Sequence, residues 1–133
     1  MRKKMKSGVL LAVVCMFLMG MTTSATTQYF LFTIEPNYYD PHSWTGTKDD
    51  NEQKAYITTL NTTGSGSICA AVYDQYGSSQ LSIDVPIAAG SSGTVTSNYL
   101  VTVSAGTTCR LIGGDPEGTV TSDSFTVYGR WTP

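Results

Sequence analysis

From Tyr29 onward the chain alternates apolar and polar residues with a period of two. No stretch of similar length carries the 3.6-residue period of a helix. Tyr29–Glu35 (YFLFTIE) sets Phe30, Phe32 and Ile34 on one face. Lys54–Thr62 (KAYITTLNT) alternates Tyr56, Thr58 and Leu60 with Ala55, Ile57 and Thr59, and the cluster NTTGSG then turns the chain. Ser67–Tyr76 follows, closed by Gly77-Ser78-Ser79. Gln80–Pro86 predicts a strand with Leu81, Ile83 and Val85 inward and Ser82 and Asp84 outward. Thr94–Ser104 holds one or two strands with Tyr99, Val101 and Val103 on one face. Thr107–Ile112 comes next, and the last strand runs from about Ser124 to Trp131 with Phe125, Val127 and Trp131 sharing a face. About seven short strands joined by Gly/Ser turns predict an all-β fold, an antiparallel β-sandwich, with a small β-barrel as the alternative.

The first 25 residues break this pattern. Met1–Lys6 (MRKKMK) is basic, Gly8–Met21 is an apolar run, and Thr23-Ser24-Ala25 offers the small residues of a cleavage site. That order predicts a secretory signal peptide over 1–25. The apolar run is short of the roughly 20 residues that span a bilayer. Cys15 lies inside it behind Val14, where lipid attachment would need a small residue. The expected product is therefore a secreted domain of residues 26–133, with no stable membrane anchor after cleavage.

Removal of the leader changes the charge. The 108 residues from Thr26 keep Lys48, Lys54, Arg110 and Arg130 against ten acids, a balance of about −6 where the whole chain has −2. Such a surface repels phosphate backbones, so nucleic acid is not an expected partner. The expected partner is an extracellular or cell-envelope molecule.

Cys69 and Cys109 remain after cleavage. An even pair in an oxidising compartment predicts a disulfide, closing a loop of about 40 residues. Buried free thiols are the alternative, since pairing requires facing positions with α-carbons about 5.5 Å apart. Two cysteines and the single His42 do not make a four-ligand zinc site, and a catalytic thiol would need a base beside it. Neither metal nor cofactor is implied.

One region escapes the alternation. Residues 36–53 (PNYYDPHSWTGTKDDNEQ) read as an irregular loop concentrating Tyr38, Tyr39, His42 and Trp44. Flat aromatics beside hydrogen-bonding groups are what a sugar ring or another chain stacks on, which makes these four the candidate ligand contacts. The competing reading is that some of the rings cap the open end of the core. Asp49-Asp50-Asn51-Glu52 lacks the spacing that wraps calcium and reads as a solvated acidic loop. Asp115-Pro116-Glu117-Gly118 reads as a turn, and Asn61-Thr62-Thr63 fits a glycosylation sequon. No nucleophile elbow, HExxH or phosphate-binding glycine loop is present. Asp40 and His42 are the closest approach to an acid–base pair, and no catalytic residue is assigned.

Phe30-x-Phe32-x-Ile34-x-Pro36-x-Tyr38 and the closing Val127-Tyr128-Gly129-Arg130-Trp131 carry a resemblance. They resemble small secreted Gram-positive β-sandwich proteins of unsettled function, similar in plan to the lactococcin-type bacteriocins. The resemblance implies an envelope-directed or bacteriocin-like role, and it transfers no site residues. The cysteine pair and the acidic balance depart from that pattern. The expected function is a secreted, non-catalytic binding or interaction protein. A carbohydrate-binding module is the first rival and a small secreted hydrolase the second.

Overall fold

The computed structural model describes residues 26–36, 42–121 and 123–133, with His42 by its backbone alone. Eight strands lie among them: β1 (Gln28–Ile34), β2 (His42–Thr47), β3 (Lys54–Thr63), β4 (Ser67–Asp74), β5 (Val85–Ala88), β6 (Gly93–Asn98), β7 (Thr108–Gly114) and β8 (Phe125–Thr132). They form two four-stranded antiparallel sheets, ordered β1-β8-β3-β6 and β2-β7-β4-β5. The molecule is the expected sandwich and not a closed barrel. The leader over 1–25 lies outside the described residues.

Alternation decides which side chains meet between the sheets. Phe30, Phe32 and Ile34 of β1, Ala55 and Ile57 of β3, and Phe125, Val127 and Trp131 of β8 point inward. They meet Ile68, Ala70 and Val72 of β4 and Cys109 and Leu111 of β7. Each large side chain removed from water here contributes about 1.5–3 kcal/mol. Two strand glycines make room for the phenylalanines. A Cβ on Gly129 would stand 2.2 Å from the Thr58 carbonyl oxygen and 2.6 Å from the Phe30 ring. One on Gly113, in the opposite sheet, would stand 2.7 Å from Phe32. The two rings, 4.9 Å apart, therefore sit over gaps that only glycine leaves.

Three sequence expectations need correction. Residues 36–53 are not one irregular loop, because His42–Thr47 forms β2 and pairs along β7 from His42↔Gly113 to Thr47↔Thr108. Its glycine is a packing residue: a Cβ on Gly46 would lie 3.0 Å from the Trp131 ring. The faces of Gln80–Pro86 are reversed at two positions. Ser82 is buried, and Ile83 is exposed. Residues 80–84, ahead of β5, make only isolated bridges, Tyr73↔Gln80 and Ser82↔Tyr99, so nothing forces the regular alternation of a paired strand there. Beyond β6 the chain also leaves regular pairing, so Val103 is buried while Val101 faces solvent.

The turn expected at Asp115–Gly118 is present. Gly118 N–H donates to the Asp115 carbonyl at 3.3 Å, and Gly118 adopts φ +66°. The Asp115 carboxylate accepts from Val120 N–H at 2.8 Å and Thr119 N–H at 3.0 Å. Burial would push this carboxyl up. The hydrogen bonds from Val120, Thr119 and Gly118 outweigh it and hold the group below the usual carboxylate range.

Candidate functional site

The outer face of the β1-β8-β3-β6 sheet is built by the positions opposite the core. On β1 these are Tyr29 and Leu31, and on β8 they are Tyr128 and Arg130. The register pairs Tyr29 with Arg130 and Leu31 with Tyr128, which makes the two tyrosines diagonal neighbours across the ladder. Their rings lie within 8° of parallel with centroids 6.1 Å apart. Tyr29 is 59% exposed and Tyr128 42%, so the pair stands in solvent. Leu31 is exposed beside them. Thr126 and Thr132 flank Tyr128 and Arg130 on the same face of β8.

Trp44 reaches the edge of this surface from the other sheet. It pairs with Leu111, which sets it on the inward side of β2. β2 is an edge strand, and Trp44 is not part of the buried core cluster. Its indole N–H donates to the Leu31 carbonyl at 3.1 Å, and 40% of the residue stays exposed. One bond thus fixes the ring and satisfies a carbonyl on the free edge of β1. Trp44 therefore links the edge strands β1 and β2 of the two sheets beside Leu31, with part of its ring left in solvent. Of the other three candidates, His42 begins β2, and Tyr38 and Tyr39 lie outside the described residues.

The disulfide expectation is corrected. Cys69 and Cys109 are free thiols. In the β4–β7 ladder Cys69 pairs with Gly114, whereas Cys109 pairs with Asp74 at the far end. Five positions along a strand is about 17 Å, far beyond disulfide reach. The side chains also face opposite ways: Cys109 is part of the core, and Cys69 lies on the outer face.

Cys69 sits in a cavity of about 290 Å³ on that outer face, with Ala71, Tyr73, Asp84, Ile112 and Glu117 among its walls. Burial pushes its thiol up, and the charges of Asp84, Glu117 and Asp115 push it further. A thiol so placed stays protonated near neutral pH and is a poor nucleophile. Burial likewise raises Cys109, with Lys48 and Tyr99 opposing.

Lys48 is the unexpected residue. Its side chain is fully buried, and Nζ donates to Asp50 Oδ1 at 2.9 Å. The same ammonium stands 5.2 Å from the centroid of the Tyr99 ring. Asp49 accepts from the backbone N–H and the hydroxyl of Thr26, so the acidic run is not simply solvated. Among the described residues no three of His, Cys, Asp and Glu converge as metal ligands.

The tyrosine surface was missed as a site in the sequence reading. Its signal was the alternation itself: each of its residues occupies the position between core residues at the two ends of the domain. No family model matches the chain, and no curated protein matches it.

Proposed function

We propose that this chain is an exported, non-catalytic binding protein that engages the cell envelope through the outer face of the β1-β8-β3-β6 sheet. The observation that supports the reading is the exposed, near-parallel Tyr29–Tyr128 pair, with Leu31 beside it and Trp44 fixed at its edge. Aromatic side chains with only two side-chain torsions give large contact area at low ordering cost. A rigid sheet holds them without a folding step on binding. The acidic balance of residues 26–133 disfavours polyanions and leaves neutral glycans and proteins as targets.

A carbohydrate is the second reading, supported by the hydroxyls of Thr126 and Thr132 and the guanidinium of Arg130 around the rings. Flat rings stack on sugar faces while such groups bond the sugar hydroxyls.

The test is binding of the secreted protein to intact Gram-positive cells, purified cell walls and soluble polysaccharides. The double variant Tyr29→Ala, Tyr128→Ala should lose about tenfold or more in affinity, about 1.4 kcal/mol. Unchanged binding by that variant would remove this face from consideration. Loss on polysaccharide alone selects the carbohydrate reading, and killing of related strains selects a bacteriocin-like action. Turnover abolished by Asp40 or His42 substitution would instead establish the hydrolase.

A further inference from the structure

We infer that the free edge of β6 is a self-association surface, on which a second copy of this chain pairs antiparallel about Val95.

The inference starts from the edge itself. β6 pairs with β3 on one side only. Asn98 sends its carbonyl away from β3, to Ile83 N–H at 3.0 Å, while Tyr99 N–H turns back to Gln53 at 3.1 Å. Backbone groups alternate along an antiparallel strand, so Thr96 and Thr94 share the outward direction of Asn98, and Val95 and Ser97 face β3. The N–H and C=O of Thr94 and Thr96 are thus four open hydrogen-bonding groups on one line. What satisfies such a row is an extended polypeptide.

Two other edges are guarded. β5 carries Pro86, which has no N–H to offer, and the Leu31 carbonyl on β1 is covered by the Trp44 indole. β6 (GTVTSN) has neither proline nor charge.

A second copy fits because the edge is complementary to itself. A twofold axis at Val95 sets Thr94 opposite Thr96 of the other copy, and Thr96 opposite its Thr94. Both are pairs that exchange two hydrogen bonds, so all four open groups are used. The two Val95 residues then form the close, non-hydrogen-bonded pair between them. Val95 has the inward orientation of its partner Ile57, which is fully buried, yet Val95 is 40% exposed, because β6 lies at the rim of the sandwich. Pairing covers it.

Charge points the same way. No charged residue occurs between Asp84 and Arg110, a run of 25 residues in an otherwise acidic domain. This run contains β6 and the exposed Leu100 and Val101. Two chains of about −6 each repel, and a contact is least opposed where neither presents charge.

Sedimentation velocity of the secreted protein across a concentration series tests the inference. The mass should rise from monomer to dimer. Thr96→Pro removes an outward N–H while leaving the β3 ladder intact, and Val95→Lys places two like charges face to face. Each should weaken the dimer by at least about tenfold with an unchanged circular dichroism spectrum. Under mild oxidation Val95→Cys should give a covalent dimer on a non-reducing gel, which the unsubstituted protein does not. A protein that stays monomeric at the highest concentration overturns the inference, even if β6 captures an unrelated extended peptide. A dimer insensitive to both Thr96→Pro and Val95→Lys overturns it as well.

Discussion

Cys69 and Cys109 occupy neighbouring strands of one sheet and face opposite sides of it, Cys69 toward the outer cavity and Cys109 toward the core. The two thiols therefore contribute through packing and not through a covalent staple. Residues 26–133 should show two titratable thiols once unfolded, and the uncleaved chain, with Cys15, should show three. Cys69 should react slowly with an aromatic disulfide reagent in the native state, and Cys109 only on unfolding. A reducing agent should leave the melting temperature unchanged. A mass two hydrogens short, with no titratable thiol, would contradict the fold as described.

Ser82 supplies a hydrogen bond that the sheet cannot. Its buried hydroxyl accepts from Val72 N–H at 2.9 Å and lies 2.7 Å from the Ser97 hydroxyl. Ser82→Ala leaves a buried N–H without a partner and should cost about 1–3 kcal/mol in chemical denaturation. Ser79→Ala, at an exposed turn position, is the control and should change little.

Lys48 and Asp50 should respond asymmetrically. Asp50→Ala strands a buried ammonium and should cost about 2–4 kcal/mol. Lys48→Met keeps the buried aliphatic stem and leaves Asp50 partly in solvent, and should cost less than about 1.5 kcal/mol. Equal losses in urea unfolding would show that the pair matters through packing alone.

Stability should fall on both sides of neutrality. The Asp50 carboxyl is held low by the Lys48 hydrogen bond, that of Asp74 by hydrogen bonds from the Ser78 backbone and hydroxyl, and that of Asp115 by its turn amides despite burial. Carboxyls lowered in the folded state stabilise it above their unfolded value near 4, and this is lost as pH falls through the folded values. Burial raises Cys69, Cys109 and Tyr99, so the unfolded chain ionises first as pH rises. Stability should therefore decline above about pH 8.5. Melting temperature against pH should show a plateau between these limbs, and Asp115→Asn should shallow the acid limb.

The proposed export predicts a new N-terminus. Cleavage after Ala25 would turn the Thr26 nitrogen, which lies 2.5 Å from the Asp49 carboxylate, into an ammonium group. Mass spectrometry of the secreted chain should find Thr26 first. Asp49→Asn should lower stability modestly, by about 0.5 kcal/mol, and the loss should shrink in high salt.

Local pattern alone determined that this is a sheet protein and which residues share the apolar faces of β1 and β8, because strict alternation groups Phe30, Phe32 and Ile34, and Phe125, Val127 and Trp131, in any regular strand, whereas the fold decided that Ala55 and Ile57, and not Tyr56, Thr58 and Leu60, are the buried face of β3. Tertiary structure decided the rest. β2 was hidden because its inward positions include Trp44 and Gly46, and Gly46 signals a turn until the Trp131 ring is seen against it. The faces of Ser82 and Ile83 followed from isolated bridges and not from a ladder. The separation of Cys69 from Cys109 followed from a register that relates residues 40 positions apart, which no local pattern encodes. The diagonal approach of Tyr29 to Tyr128 joins the two ends of the domain in the same way: alternation told that each faces outward, and only strand pairing told that they meet.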